Sequence, residues 1–333
     1  MTRTITNAGI DVSSKVLNVH IHEGGPAHFE NTVEGRKKLV RFIKKRSKGA
    51  GRVLLESTGS YGLDLALELH AVKRFVVVYL NPAQSKAYAQ AKKRRAKTDR
   101  LDAKLLAEMA SKGLGHAWQP PEEAYLELRA MTRHRRSMVE NRTREKNRLA
   151  AARATNTTPR AVLDSLQATI QWLSDQIEAL NRIITAHCRA HPELQRRVTL
   201  LSTMDGIGPT TSAEIVGEIG CAPRDLTPRQ LVAYAGLDPQ VFQSGHLDAR
   251  RHISRQGSRF LRLAMHFAAT NGVKNSPRIR AIHQGLLDRG KPKMVAYVAI
   301  ARRLLHVVHA LLRTGERWDS SRFGRLPDEA TAS

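Results

Sequence analysis

The stretch "TNAGIDVSSKVLNVHIHE", Thr6 to Glu23, decides the fold. It reads as two successive strands, "TNAGIDVS" and "KVLNVHIHE". The second places Leu17, Val19 and Ile21 on one face with the period of two that a half-buried strand requires. The first ends on a charged residue, Asp11, after an apolar run. Working outward, "AHFENT" supplies a third short strand, and "EGRKKLVRFIKKRSK" an amphipathic helix with Leu39, Val40, Phe42 and Ile43 on its apolar side. "GRVLLES" is a buried strand ending near Glu56, "YGLDLALELHAV" a helix, and "RFVVVYL" a strand stopped by Asn81-Pro82. One helix opens at Pro82, and another runs through "TDRLDAKLLAEMAS" with Thr98 as its N-cap.

With 333 residues the chain has room for two domains, each with its own core. Its 55 Lys and Arg against 30 Asp and Glu give a net charge of +25, a surface suited to a polyanion, and nucleic acid is the usual one. No window reads as a membrane span and the N-terminus lacks a signal-peptide core, so a cytoplasmic protein without a membrane partner is expected. The two cysteines, Cys188 and Cys221, form no ligand spacing and fit a reducing compartment. The 14 histidines are scattered; His306 and His309 share a helical face, and packing is the better reading for them.

From Trp118 the character changes. Residues 118–198 read as long basic helices, with eight Lys and Arg against two acids between Arg129 and Arg148. Leu166, Ile170, Leu173, Ile177, Leu180 and Ile184 then follow at spacings of three and four, a coiled-coil-like seam. A helical spacer and an oligomerisation hairpin fit this region equally. Residues 199–315 are helical and richer in Gly and Pro, and residues 316–333 form a polar tail expected to fray. The resulting organisation is a 1–117 α/β domain followed by all-α regions.

Four acids stand out. Asp11 and Glu56 lie at strand ends, and Asp99 and Asp102, three apart, share one helical face. If that helix packs beside the first strand, four carboxylates converge, and like charges that close need a compensating cation. Mg²⁺, as one or two ions, suits an all-oxygen set and phosphodiester chemistry. Read singly, each acid has an ordinary role as a cap, a helix-dipole partner or an ion-pair partner. The order of strands and helices is that of an RNase H-like fold, whose nucleases use such a set. Lys92, Lys93, Arg94 and Arg95 just before the helix would hold a nucleic-acid backbone near the metal.

Further along, "MDGIGPTTSAEIVGEIG" resembles a helix-hairpin-helix element, in which Gly206 and Gly208 let backbone N–H groups approach a phosphate. Ser244-Gly245 lies in a polar loop before Arg250, Arg251, Arg255, Arg259 and Arg262. A loop serine facing arginines can attack phosphorus, although no general base stands nearby and loop serines are common.

Together, "GIDVSSK", "LLESTGSYG", "KTDRLDAKLLA", "MDGIGPTTSAEI", "LVAYAGLDP" and "ISRQGSRFLR" resemble, in order, the motifs of DEDD insertion-sequence transposases of the IS110 and IS1111 class. The resemblance implies a RuvC-like N-terminal domain, a coiled-coil insertion and a C-terminal transposase domain. It implies a metal site at Asp11, Glu56, Asp99 and Asp102 and a nucleophile at Ser244 that links covalently to DNA. It further implies donor and target duplex DNA, a bridge RNA from the element, and a tetramer built as a dimer of dimers, associated with the bacterial or archaeal nucleoid. Sequence choice would then lie in RNA–DNA pairing. Serine and carboxylates would have to meet at one phosphate, and the long helices could carry that meeting between subunits. Arg255 and Arg259 are expected as phosphate contacts, from the residues themselves rather than from the resemblance. The competing readings are a RuvC-like structure-selective endonuclease and a non-catalytic nucleic-acid-binding protein.

Overall fold

Strand β1 (Thr6–Val12) is the middle of a five-stranded sheet because both of its edges find partners. On one side it pairs antiparallel with β2 (Val16–Ile21), which pairs antiparallel with β3 (Gly25–Glu30). On the other it pairs parallel with β4 (Gly51–Glu56), which pairs parallel with β5 (Phe75–Leu80). The strand order is β3-β2-β1-β4-β5. This computed structural model describes residues 6–47, 49–56, 61–92, 99–240, 243–244, 247–248 and 252–323, without the side chains of 99, 100, 243, 244, 247, 248 and 322. Contacts divide the chain into two units, Met1–Pro120 and Pro121–Ser333.

In the first unit the period of two separates two faces. Ala8, Ile10, Val12, Leu17, Val19, Val53 and Leu55 pack against helix α1 (Val33–Arg46) and helix α2 (Leu63–His70) through Leu39, Ile43, Leu65 and Leu69. Thr32 caps α1 by accepting from the Gly35 N–H at 3.1 Å, and basic residues fill its last turn, as the helix dipole favours. On the opposite face Leu54, Val78 and Leu80 pack against Leu106, Met109 and Ala110 of helix α4 (Asp99–Ser111). Helix α3 (Pro82–Ala91), with Pro at its start and Asn81 as N-cap, precedes it. Thr98, the cap expected for α4, lies outside the described residues.

In the second unit helices α5 (Glu123–Arg153) and α6 (Arg160–Ala190), of 31 residues each, form an antiparallel hairpin about 46 Å long. Its rungs run from His187–Ala124 through Arg135–Asn181 to Arg142–Ser174. The seam of α6 buries Leu166, Leu173, Ile177 and Ile184, with Ile170 and Leu180 half-buried. The hairpin is rooted in the same core as helices α7 (Pro192–Leu201), α8 (Pro209–Gly220), α9 (Pro228–Tyr234), α10 (Arg259–Asn275), α11 (Pro277–Asp288) and α12 (Lys293–Thr314). Residues 121–198 and 199–315, in separate segments in the sequence reading, share one unit, because Tyr125, Leu128, Ile184 and Cys188 are buried among the C-terminal helices.

Two expectations need correction. Helix α12 is long and apolar enough, by length and composition, to cross a membrane. Its apolar positions Ile300, Leu304, Leu305 and Val308 are instead buried in the core, which explains an apolar window in a core helix. The tail expected to fray packs as far as residue 323. Phe323 is 3% exposed, and Trp318 accompanies it at 5.4 Å between ring centroids. Arg278 donates to the Phe323 carbonyl at 3.1 Å. Two aromatics outweigh the polar composition around them.

Candidate functional site

The register across the sheet sets a row of polar residues. His28 of β3 faces Asn18 of β2, and Asn18 faces Asp11 of β1. On the other side Ile10 is level with Leu55, so Asp11 and Glu56 occupy the next step of the parallel ladder. Which face they share follows from their i−2 neighbours. A Cβ on Gly9 would lie 2.2 Å from the Ala103 carbonyl oxygen and 2.2 Å from the Ala107 nitrogen, so Gly9 faces α4. Leu54 packs against Leu106 of the same helix. Asp11 and Glu56 therefore project from the α4 face.

The direction of α4 fixes the rest. Arg52, near the start of β4, donates to the carbonyls of Gly113 at 3.1 Å and Leu114 at 3.0 Å, just past the end of α4. Helix α4 thus runs antiparallel to β1 and β4, and its first turns lie over the edge where those strands end. Asp99 is its first residue and Asp102 stands one turn in. Asp11, Glu56 and Asp102 are all half-buried. This chain has more than enough cations for every acid, yet among the described residues neither Glu56 nor Asp102 takes an ion-pair partner. A helix N-terminus favours the ionised carboxylates gathered beneath it, and oxygen ligands of that kind suit a hard divalent cation.

His20, on the same face of β2, is held below the ordinary imidazole pKa by burial and then by Lys104 of α4. Lys92 turns inward: its ammonium pairs with Glu108 of α4, whose carboxyl is pulled down to about 2, chiefly by that hydrogen bond. Lys93, Arg94 and Arg95 lie outside the described residues.

In the second unit Ser244 belongs to a β-ribbon, where its polar surroundings in the sequence suggest a loop. Nearby, Pro239 bridges Ile253, Gln240 donates to the His252 carbonyl at 2.7 Å, and Ser254 donates to the Asp238 carbonyl at 2.8 Å. The ribbon itself pairs β6 (Gln243–Ser244) with β7 (Leu247–Asp248), with Ser244 opposite Leu247. Arg250 and Arg251 lie outside the described residues. Arg255 follows the ribbon at φ 53, and its N–H donates to the Gly236 carbonyl at 3.1 Å. Arg262 donates to the Ala235 carbonyl at 2.8 Å. Its pKa is lowered by burial and then by Arg255 and Arg259, so three guanidiniums gather at this end of α10. Such a group favours an anion among them. Arg259 is already paired with Glu140 of α5 at 2.9 Å.

The two glycines of the expected phosphate turn differ. Gly206, at φ 86, packs so tightly on α10 that a Cβ would lie 2.3 Å from the Gly272 nitrogen, and helix packing alone accounts for it. Gly208 caps α8 with open space around it.

The basic face of α5 holds the feature that sequence reasoning missed. Arg133 grips the buried Glu218 of α8 with two hydrogen bonds, at 2.6 and 2.9 Å, and Ser258 at the N-cap of α10 donates to the same carboxylate at 2.7 Å. Arg136 and Arg135 pair with the buried Glu214. These arginines join α5, α8 and α10. The signal was the pair Glu214 and Glu218, four apart on a helix with no other charged residue. His309 contacts the Leu226 carbonyl at 2.8 Å, a packing role.

Two family profiles match in order along the chain, an IS110-type DEDD "Transposase" over residues 8–152 and the "Transposase IS116/IS110/IS902 family" over residues 198–284. The pilin gene-inverting protein of Moraxella bovis is 28% identical over 299 residues, covering 87% of this chain and 89% of its own length. A probable family 20 transposase of Pseudomonas aeruginosa is 27% identical over 348 residues, covering 92% and 97%. The transposase for insertion sequence element IS1111A of Coxiella burnetii is 24% identical over 349 residues, covering 93% and 90%. With both profiles in the family's order and relatives spanning nearly its whole length, this chain belongs to the IS110 family of DEDD transposases, and it is a DNA recombinase.

Proposed function

We propose that this transposase excises and inserts its own insertion sequence under RNA guidance, with Asp11, Glu56, Asp99 and Asp102 holding Mg²⁺, as one or two ions, and Ser244 as nucleophile. The observation that carries the reading is the meeting of two strand ends, each with an acid on the α4 face, beneath the first turns of α4. The strand order and the mixed pairing also support an RNase H-like, RuvC-like sheet domain. A divalent metal accords with DEDD family membership. When bound, such an ion supplies Lewis-acid stabilisation of charge on the scissile phosphate.

Asp11, Glu56, Asp99 and Asp102 would hold the cation beside the scissile phosphate. Ser244 Oγ attacks phosphorus, forming a new P–O bond as the bond to the departing deoxyribose oxygen breaks. The serine proton passes to solvent and the departing oxygen takes one up. Attack by a deoxyribose hydroxyl of the incoming strand on the phosphoserine link reverses the step and rejoins DNA. Arg255 and Arg259 would neutralise the phosphate, and the ribbon that bears Ser244 leads into that arginine group. Base pairing by a bridge RNA, rather than side chains, would choose donor and target, with a tetramer holding both duplexes in the cytoplasm at the nucleoid.

The test uses the full chain with DNA carrying both element ends. Ser244→Ala is expected to abolish a denaturation-resistant protein–DNA adduct, and Asp102→Asn to abolish cleavage while leaving the fold intact. An adduct that persists in Ser244→Ala sinks the serine assignment, and cleavage that persists in Ser244→Ala without any adduct favours a nuclease using water. Purification from cells carrying the element should yield a discrete element-derived RNA; its absence refutes the guided part alone.

A further inference from the structure

The root of the α5–α6 hairpin carries a cluster that the recombination chemistry does not use. His187, in the last turn of α6, and His191, at the junction of α6 and α7, are four residues apart and rise on one side, with ring centroids 4.6 Å apart. From the first turns of α5, Glu127 brings Oε2 to 3.5 Å from His187 Nδ1. The other ring nitrogen, Nε2, lies 2.9 Å from the Ala124 carbonyl oxygen. A carbonyl only accepts, so Nε2 carries the proton and Nδ1 is left facing a carboxylate oxygen. That pairing needs a positive centre between the two atoms, either a proton on Nδ1 or a bound cation.

One ligand atom from each of Glu127, His187 and His191 lies within 4.8 Å of the others. An ion with bonds of about 2.0–2.1 Å in tetrahedral array holds its ligands roughly 3.4 Å apart. The Glu127–His187 separation of 3.5 Å already meets that, and a ring rotation brings in His191. The bond from His187 to Ala124 is the outer-shell contact that orients metal-bound imidazoles. Arg196 and Arg197 of α7 do not compete for Glu127, because Glu193 holds them at 2.8 and 2.6 Å.

We infer that Glu127, His187 and His191 bind one Zn²⁺-class ion, with water as the fourth ligand, and that the ion clips the first turns of α5 to the α6–α7 junction. Two imidazoles and one carboxylate select such an ion over Mg²⁺, which prefers oxygen alone. The clip is therefore distinct in chemistry from the carboxylate site of the sheet domain and does not depend on it. It would stiffen the root from which the hairpin extends.

The test is a calorimetric titration of the full chain, stripped with chelator, by Zn²⁺ in constant excess Mg²⁺. One ion per chain is expected, with a higher thermal midpoint on binding, and Co²⁺ in its place should give the intense visible bands of a tetrahedral site. Glu127→Gln and His191→Gln, both at side chains with solvent access, should each weaken Zn²⁺ at least tenfold, the lower bound seen even for outer-shell partners. His187→Ala should do the same. Absence of a stoichiometric site in the wild-type chain overturns the proposal, as does an affinity unchanged in Glu127→Gln and His191→Gln. A simple ion pair would raise the midpoint as pH falls through the imidazole range with no response to Zn²⁺, and that outcome also overturns it.

Discussion

Replacing Gly9 by alanine tests the candidate site without touching a chemical group. The added Cβ would lie 2.2 Å from the Ala103 carbonyl oxygen, 2.2 Å from the Ala107 nitrogen and 2.6 Å from the Leu106 Cβ. Two of these are backbone atoms of a helix, so no side-chain rotation relieves the clash. Ordinary contact begins near 3.4 Å. Helix α4 must therefore lift from β1 by about 1 Å, at an overpacking cost of about 1–3 kcal/mol. That shift carries Asp99 and Asp102 away from Asp11 and Glu56, and a misplacement of about 1 Å costs on the order of 10²-fold in rate. The measurement is metal-dependent strand cleavage by the full chain, beside its circular dichroism and melting temperature. Gly9→Ala should fold, melt somewhat lower and cleave about 10²-fold more slowly. Gly285→Ala is the control: it lies in helix α11 with nothing near its missing Cβ, so alanine should add about 0.5–1 kcal/mol and leave cleavage alone. A Gly9→Ala protein that cleaves at the wild-type rate refutes the placement of α4's acids over the sheet edge.

Glu218→Ala removes the buried carboxylate that binds Arg133 and Ser258, and because Arg133 itself is 38% exposed the loss should be about 1–3 kcal/mol in denaturant unfolding. Glu108, whose carboxyl is held at about 2 against 4.5 ordinarily, stabilises the fold fully above pH 4.5 and loses that contribution as pH falls toward 2. In acid unfolding, wild type should lose its advantage over Glu108→Gln across that window; parallel curves would count against the Lys92–Glu108 contact. Phe323→Ala should cost about 3–5 kcal/mol if the tail packs as described, read from the same denaturant curves. Alanine at Arg144, Lys146 and Arg153 together should make the salt slope of duplex binding shallower by about 0.9 for each phosphate these side chains neutralise, with the fold unchanged by circular dichroism.

The sheet domain was legible because β2 showed alternation, β4 and β5 read as apolar runs, and α1 showed an apolar face. Asp11 and Glu56 could be placed at strand ends from sequence. That they share the α4 face could not, since it depends on register and on the direction of α4, and Gly9 and Arg52 set those through contacts across many residues. The ribbon around Ser244 escaped for a different reason. Its paired segments are only two or three residues long, too short for any periodicity to show. His187 and His191 escaped because the histidines read as scattered and the third partner, Glu127, lies some sixty residues earlier in another helix.

The positive charge illustrates how composition and structure divide the labour. A net charge of +25 argues for a polyanion but does not say which cations meet it. On α5 the arginines nearest the core, Arg133, Arg135 and Arg136, are taken up by Glu214 and Glu218, and two of them also cover Phe260 and Phe267 at 4.6 and 4.8 Å. Guanidinium suits this work because it is planar, weakly hydrated and forked. Farther out along the hairpin, Arg144, Lys146 and Arg153 are exposed and unpaired among the described residues. The same helix is therefore a structural strut at its root and a candidate nucleic-acid surface toward its tip. Neutralising the root should unfold the protein before it changes the salt dependence of binding, whereas neutralising the tip should do the reverse. A composition-level reading treats these arginines as one class; burial of Glu214 and Glu218 is what separates them.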